Sequence, residues 1–206
     1  MIFQFDFLAP LYDRMVGFFL GQPDAEKWRE LLNLPTGGRL LDAGGGTGRV
    51  SAPLRSLVGQ PVVVDISSGM IRQAREKGDL ELVRADAAQL PFPDACFERI
   101  IVVDSLHHFS QQRQVVQELA RVLSHDGLLV IEEFDIRRLP VKGIALVEKL
   151  ALMGSRFLRP EKIQEQLQEA GLTAEILKGE KSTIFIVARK SPPWRSMGEE
   201  DPKHPT

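Results

Sequence analysis

Cysteine is nearly absent: Cys96 is the only one among 206 residues. A disulfide framework within one chain is therefore excluded, and so is a cysteine-rich metal centre; no metal is expected. Basic charge is not in excess either. Lys and Arg number 26 against 28 Asp and Glu, a formal net charge of -2, which argues against a nucleic-acid groove. Long apolar runs are missing. Stretches such as Met15–Leu20 fall far short of the ~20 residues that cross a bilayer, which leaves peripheral membrane contact as the only kind open. The opening phrase MIFQFDFLAP has no positive region ahead of an apolar core, so it does not read as a secretory leader, and a cytoplasmic location is expected. No internal repeat is visible.

What is present has ordinary globular proportions, 43% hydrophobic and 26% charged, and the length suits one well-buried domain. Between residues 38 and 134 the chain alternates in type. Short apolar strands are expected at Arg39–Ala43, Pro61–Asp65, Leu80–Arg84, Phe97–Val103 and Leu128–Phe134. Helices are expected between them, at Gly48–Leu57, Ser68–Lys77 and Gln111–Leu123, the last with Val115, Val116, Leu119, Ala120 and Leu123 on one face. Strands alternating with helices imply βαβ units and a parallel sheet buried on both faces. The C-terminal part changes style. A helix at Glu161–Ala170 closes on Gly171, and Leu172–Leu177 and Thr183–Arg189 are joined by too short a loop for a crossover, so this pair is antiparallel. The expected fold is α/β: a Rossmann-like, doubly wound sheet of about seven strands, mostly parallel, with a C-terminal antiparallel hairpin and helices on both faces.

Outside that body, residues 1–35 are expected to form helices over the site, one at about Pro10–Leu20 and one at Asp24–Leu32 with Asp24 as N-cap. The apolar segment 141–160 reads as a substrate lid. Residues 191–206, with four prolines and many charges, read as a disordered tail. Pro53 sits inside an expected helix with no reason visible in the sequence.

The strongest local signal is Leu40-Leu41-Asp42-Ala43-Gly44-Gly45-Gly46-Thr47-Gly48, placed between a strand and a helix. Glycines let the backbone turn sharply and let a ligand touch it, and the helix behind offers free N–H groups. The spacing, glycines at 44, 46 and 48 with an acid at 42, differs from the Gly-x-Gly-x-x-Gly of dinucleotide folds. It resembles motif I of the class I S-adenosylmethionine-dependent methyltransferases. The resemblance implies that Gly44, Gly46 and Gly48 cradle the amino-acid part of S-adenosylmethionine, that Asp42 helps to hold its amino group, and that S-adenosylhomocysteine is the product. Asp65, at the end of the next strand, is then the ribose acid, with Ile66 and Met70 flanking the adenine and Asp86-Ala87 near the adenine amine. The phrase Leu90-Pro91-Phe92-Pro93-Asp94 is common in the same superfamily.

After the fourth strand the chain reads Val103-Asp104-Ser105-Leu106-His107-His108-Phe109. By the resemblance this loop lines the space between methyl donor and acceptor. Asp104, His107 and His108 are its candidate catalytic groups, because an imidazole is the natural base near neutral pH. Strand alternation lets only one of Glu132 and Glu133 face that space. The N-terminal phrase Phe5-Asp6-Phe7-Leu8-Ala9-Pro10-Leu11-Tyr12-Asp13 is similar to the start of ubiquinone/menaquinone-biosynthesis methyltransferases, which implies that Tyr12 closes over the cofactor. Those quinone enzymes usually carry an Arg-Asn pair where this chain has His107-His108. The expected activity is methyl transfer to a small, apolar or aromatic, quinone-like acceptor. A protein that binds S-adenosylmethionine without transferring methyl is the alternative.

Overall fold

A computed structural model describes Ala9, Asp13 and residues 23–137, 155–180 and 183–190. Seven strands form one sheet: β1 (Arg39–Ala43), β2 (Gln60–Asp65), β3 (Glu81–Arg84), β4 (Phe97–Val103), β5 (Leu123–Phe134), β6 (Leu172–Lys178) and β7 (Thr183–Lys190). Their order is β3-β2-β1-β4-β5-β7-β6. The pairs from β3 to β5 are all parallel. β7 inserts between β5 and β6 and runs antiparallel to both, as the short loop between the last two strands requires.

The described helices are α1 (Ala25–Leu31), α2 (Ser51–Leu54), α3 (Ser68–Ala74), α4 (Gln112–Val122) and α5 (Pro160–Glu169). Side-chain alternation along the strands divides the interior into two cores, one on each face. Leu41, Ala43 and Ile100 join a core closed by Val115, Val116 and Leu119 of α4 and Ile163 and Leu167 of α5. Leu40, Ile101 and Val130 join the other, closed by Trp28 of α1 and Leu54 of α2. The inner strands β1, β2, β4, β5 and β7 are buried largely on both sides, which is why they read as almost continuous apolar runs, whereas the edge strands β3 and β6 are partly exposed. Asp24 caps α1 by accepting from the N–H groups of Glu26 and Lys27.

Two segments depart from expectation. The helix after the glycine loop is shorter than Gly48–Leu57. Turns occupy the chain to Val50, α2 covers Ser51–Leu54, and a 3-10 turn follows at Arg55–Leu57. Pro53 therefore lies in the first helical turn, where its missing N–H would have had no intrahelical partner. The fifth strand begins at Leu123 rather than Leu128. The Asp126-Gly127 turn is an irregularity inside it, with Asp126 at φ +60 and a shift in the β4–β5 register between Phe97 and Arg99.

From β1 the chain winds outward through β2 to β3, then returns to place β4 on the other side of β1. The strand order reverses between β1 and β4, so a crevice opens above the C-terminal ends of these strands, where open α/β sheets bind ligands.

Candidate functional site

A cavity of about 310 Å³ occupies that crevice, a size suited to a small molecule. Gly44 and Gly46 form its floor at the end of β1. Both have positive φ, +69 and +56. A Cβ on Gly44 would lie 2.8 Å from both Phe109 and Ser105, so this glycine permits close packing. A Cβ on Gly46 would meet only the Met70 sulfur, at 3.8 Å, so there the backbone faces open space. Gly48, at φ +71, is not part of the cavity wall. A Cβ there would come within 2.9 Å of Leu80, which makes it a packing glycine.

Asp65, at the tip of β2, accepts from the Gly46 N–H at 2.9 Å and from the Ser67 N–H at 2.8 Å. One carboxylate thus ties the glycine loop to the start of α3. Ile66, 41% exposed, and the buried Met70 complete this part of the wall. Asp86 and Ala87 follow from the end of β3. Asp86 accepts from the Ala88 N–H at 2.9 Å, which fixes the turn. Asp42 is placed differently. It is buried and not part of the cavity wall, and it accepts a hydrogen bond from the Ser51 hydroxyl beneath the loop. Its Oδ1 is buried with no hydrogen-bond partner, and burial pushes its pKa up to about 7 against the pull of Ser51.

The ends of β4 and β5 build the other side. Asp104 lines the cavity in a left-handed conformation, φ +48, with its N–H donating to the Glu132 carbonyl at 3.0 Å. Its Oδ2 lies 4.0 Å from Arg49 and its Oδ1 is buried without a partner. Burial, then the nearby Glu132 and Glu133, push its carboxyl up to about 8. Glu132 itself is raised to about 7 by burial.

The two histidines are separated by role. His107 is buried off the cavity. Its Nδ1 lies 2.7 Å from Glu133 Oε2, its backbone N–H donates to Oε1 at 3.3 Å, and its ring stacks on Phe157. His108 lines the cavity, with Nδ1 3.1 Å from the Ser155 hydroxyl. Burial, helped by His107, lowers its pKa to about 3, so it is neutral at physiological pH. Of the two β5 acids, Glu133 turns to His107, whereas Glu132 is on the side of Arg49 and Lys27.

Residues 155–157 are pinned onto this loop. Arg156 N–H donates to the His107 carbonyl at 2.7 Å, and the Gln112 amide donates to the carbonyls of Arg156 and Leu106. The remainder of the expected lid, the helix at about residues 10–20 apart from Asp13, and the tail at 191–206 lie outside the described residues, as does Tyr12. Asp13 is described, and is helical. It binds the Thr47 hydroxyl of the glycine loop and the Lys77 ammonium. Glu133, Ser51, Asp13 and Phe109 are site residues that sequence reasoning did not assign. Glu133 had a signal in its parity on β5, and Asp13 and Phe109 stood inside motifs without a role of their own; Ser51 had none. Among the described residues no cluster could hold a metal and no helix is long and apolar enough to cross a membrane.

Comparison with known proteins bears on the family and the fold. Residues 41–131 match a family described as a methyltransferase domain. The ubiquinone/menaquinone biosynthesis C-methyltransferase UbiE of Pseudomonas fluorescens is 36% identical over 115 residues, covering 51% of this chain and 45% of that protein. The chain thus spans about half the length of the curated relatives it matches. An S-adenosylmethionine-dependent methyltransferase from Thermotoga maritima superposes with a TM-score of 0.75 at 20% identity, over 93% of this chain and 100% of that one. The cyclase SpnF superposes with a TM-score of 0.69 at 20% identity, over 91% and 94%.

Proposed function

We propose that the chain, which matches a methyltransferase-domain family over residues 41–131 and is partly similar to the UbiE C-methyltransferases, is a class I S-adenosylmethionine-dependent methyltransferase that transfers a methyl group to a small acceptor of apolar or aromatic, quinone-like character. The observation that carries this reading is the open face of Gly46 beside the Asp65 carboxylate on the wall of one cavity. A ligand can touch the loop backbone there, and an acid stands ready to accept from hydroxyl groups. The residues present fit the group. Gly44 and Gly46 would receive its amino-acid part, while Gly48 shapes the loop. Asp65 would hold the ribose hydroxyls, because a carboxylate at the tip of β2 lines the cavity beside the open face of Gly46. Ile66 and Met70 would flank the adenine, with Asp86 and Ala87 at its amine. The unpartnered Oδ1 of Asp42 would receive the amino group directly or through water. Tyr12 would cover the ligand, an assignment that rests on the resemblance alone.

When bound, S-adenosylmethionine supplies a methyl group already activated on a sulfonium. The chain's task is to orient the acceptor in line and to exclude water, which accounts for most of the acceleration in such a displacement. Val103, Phe109 and Val115 give the cavity apolar walls for that purpose. His108 serves as a neutral hydrogen-bonding wall rather than a strong base. His107, clamped by Glu133 and Phe157, positions His108. The quinone-like character follows the partial likeness to the UbiE proteins. Binding without methyl transfer is the second reading, favoured by the likeness to a cyclase on the same fold.

Calorimetric titration tests the proposal. Micromolar binding of S-adenosylmethionine and S-adenosylhomocysteine is expected, with weak or no binding of NAD. Asp65→Ala should weaken both by about 1.5–3 kcal/mol, the range for a charge-assisted hydrogen bond. No binding by the wild type, or unchanged affinity in a folded Asp65→Ala variant, overturns it. Acceptor screening with release of S-adenosylhomocysteine as readout separates transfer from binding alone.

A further inference from the structure

The cavity wall contains three carboxylates, Asp65, Asp86 and Asp104, and no lysine or arginine among the described residues. Two of the three are engaged by backbone. Asp65 holds the N–H groups of Gly46 and Ser67, and Asp86 holds that of Ala88. Asp104 is different in each respect. One of its oxygens is buried without a partner, and the other is 4.0 Å from a guanidinium, beyond hydrogen-bond range. Its backbone is left-handed, a conformation that a residue with a Cβ adopts only at a cost. Strain and an unsatisfied buried acceptor in one residue, on the wall of a ligand cavity, mark a position held for something other than stability.

We infer that Asp104 is the proton acceptor of the transfer, and that the substrates it serves are neutral molecules whose methylated centre must give up a proton rather than anions. The inference rests on the methyltransferase reading above. The balance is closed. An electron pair of the acceptor forms the new bond to the methyl carbon, and the S–CH₃ pair stays on sulfur, which becomes a neutral thioether. The acceptor's proton passes to the Asp104 carboxylate, which later returns it to solvent. A wall of carboxylates with no cation would repel an acceptor that arrived already ionised.

The same geometry makes Asp104 sensitive to the charge of what occupies the cavity. The groups that face it are Glu132 and Glu133 from β5, Arg49 from the glycine loop and His107 from its own loop. The two acids and burial hold its proton on at neutral pH, with the pKa about 8. A cation entering the cavity opposes them and drives the proton off. The carboxylate is thus ionised and able to take a proton when the sulfonium is present, and it reprotonates when only the thioether is left.

The experiment counts protons on binding. S-adenosylmethionine and S-adenosylhomocysteine differ by one positive charge at sulfur. Each is titrated calorimetrically into the full chain at pH 7 in phosphate and in Tris, whose ionisation enthalpies differ. The wild type should release more protons with the sulfonium than with the thioether, by about a few tenths of a proton. Asp104→Asn should abolish that difference while still binding both ligands. Asparagine preserves the shape and tolerates positive φ, so the variant keeps the fold. In turnover with hydroquinone as probe, kcat of the wild type should rise with pH through an ionisation that Asp104→Asn lacks. An equal proton difference in the variant, or none in the wild type, overturns the assignment and leaves the methyltransferase reading intact. If neither ligand binds the wild type, both readings fall.

Discussion

On the cavity wall at the ends of β2 and β3, acids and backbone amides satisfy one another before any ligand arrives. Asp65 joins Gly46 to Ser67, and Asp86 closes its own turn onto Ala88. At the ends of β4 and β5, charged groups crowd together instead. Asp104, Glu132 and Glu133 approach one another, two of them with raised pKa values, and Asp104 keeps an orphaned oxygen. The first half is organised for binding one ligand well, with little left to rearrange. The second stores electrostatic and backbone strain that only a change in occupancy relieves. One sheet thus presents a settled wall and a stressed wall to the same cavity.

The sharpest way to break this contrast is to disturb the settled wall where it has no slack. Gly46→Val places a β-branched side chain at φ +56 and fills the open face of the loop. S-adenosylmethionine affinity should fall by about 100-fold or more, equivalent to roughly 2.7 kcal/mol. Calorimetry checks the affinity and circular dichroism the fold. A folded variant that binds like the wild type would show that the ligand does not touch the loop.

The stressed wall, together with the buried Asp42 beneath the glycine loop, should reveal itself in the pH dependence of stability. Asp42, Asp104 and Glu132 have folded pKa values of about 7, 8 and 7, all above the ordinary carboxylate range. The folded state therefore holds protons that the unfolded chain has lost, and stability falls as pH rises from about 4 through these values. His108 has the opposite sign of effect. Its folded pKa of about 3 is below the ordinary value of 6.5, so it costs stability as pH falls below 6.5. The window from pH 6.5 to 8.5 isolates the carboxylates. Unfolding free energy should drop across it by on the order of 2 kcal/mol, measured by urea denaturation. A flat or rising curve would mean that these acids are not stressed in solution.

The settled wall was also the more readable one, for a physical reason. The glycine spacing, the acid ending the PVVVD strand and the acid after β3 are local features, each fixed by a strand end and a turn. The strands of the sheet were readable on similar grounds, because burial on both faces leaves apolar runs such as FERIIVV. The stressed wall depends on what alternation cannot specify. Parity puts Glu132 and Glu133 on opposite sides of β5, yet only the packed chain shows that Glu133 grips His107. Nothing about an aspartate announces a left-handed backbone at residue 104, since glycine is the usual marker. The start of α2 at Ser51 was hidden as well, because turns replace the helical reading from Gly48 onward. Pro53 is the one residue whose puzzle in the sequence dissolves in the structure.

A third contact tests whether the settled wall is complete on its own. Asp13 reaches from the N-terminal segment to the Thr47 hydroxyl at 2.5 Å and to the Lys77 ammonium, while Lys77 also donates to Thr47 at 2.9 Å. Thr47 is fully enclosed within the glycine loop, so this cluster is where Asp13 grips the loop. The Asp13 and Lys77 side chains are 40% and 25% exposed, which places the pair among solvent-screened contacts worth roughly 0.2–1 kcal/mol. Asp13→Ala should therefore leave the unfolding midpoint almost unchanged. If the segment closes over the ligand, the variant should weaken S-adenosylmethionine binding by a modest factor, about two- to fivefold. The loss should appear in the dissociation rate and shrink as salt rises, because salt already screens the wild-type pair. Stopped-flow displacement at low and high ionic strength makes the measurement. Unchanged dissociation would show that the loop and Asp65 hold the ligand without help from Asp13.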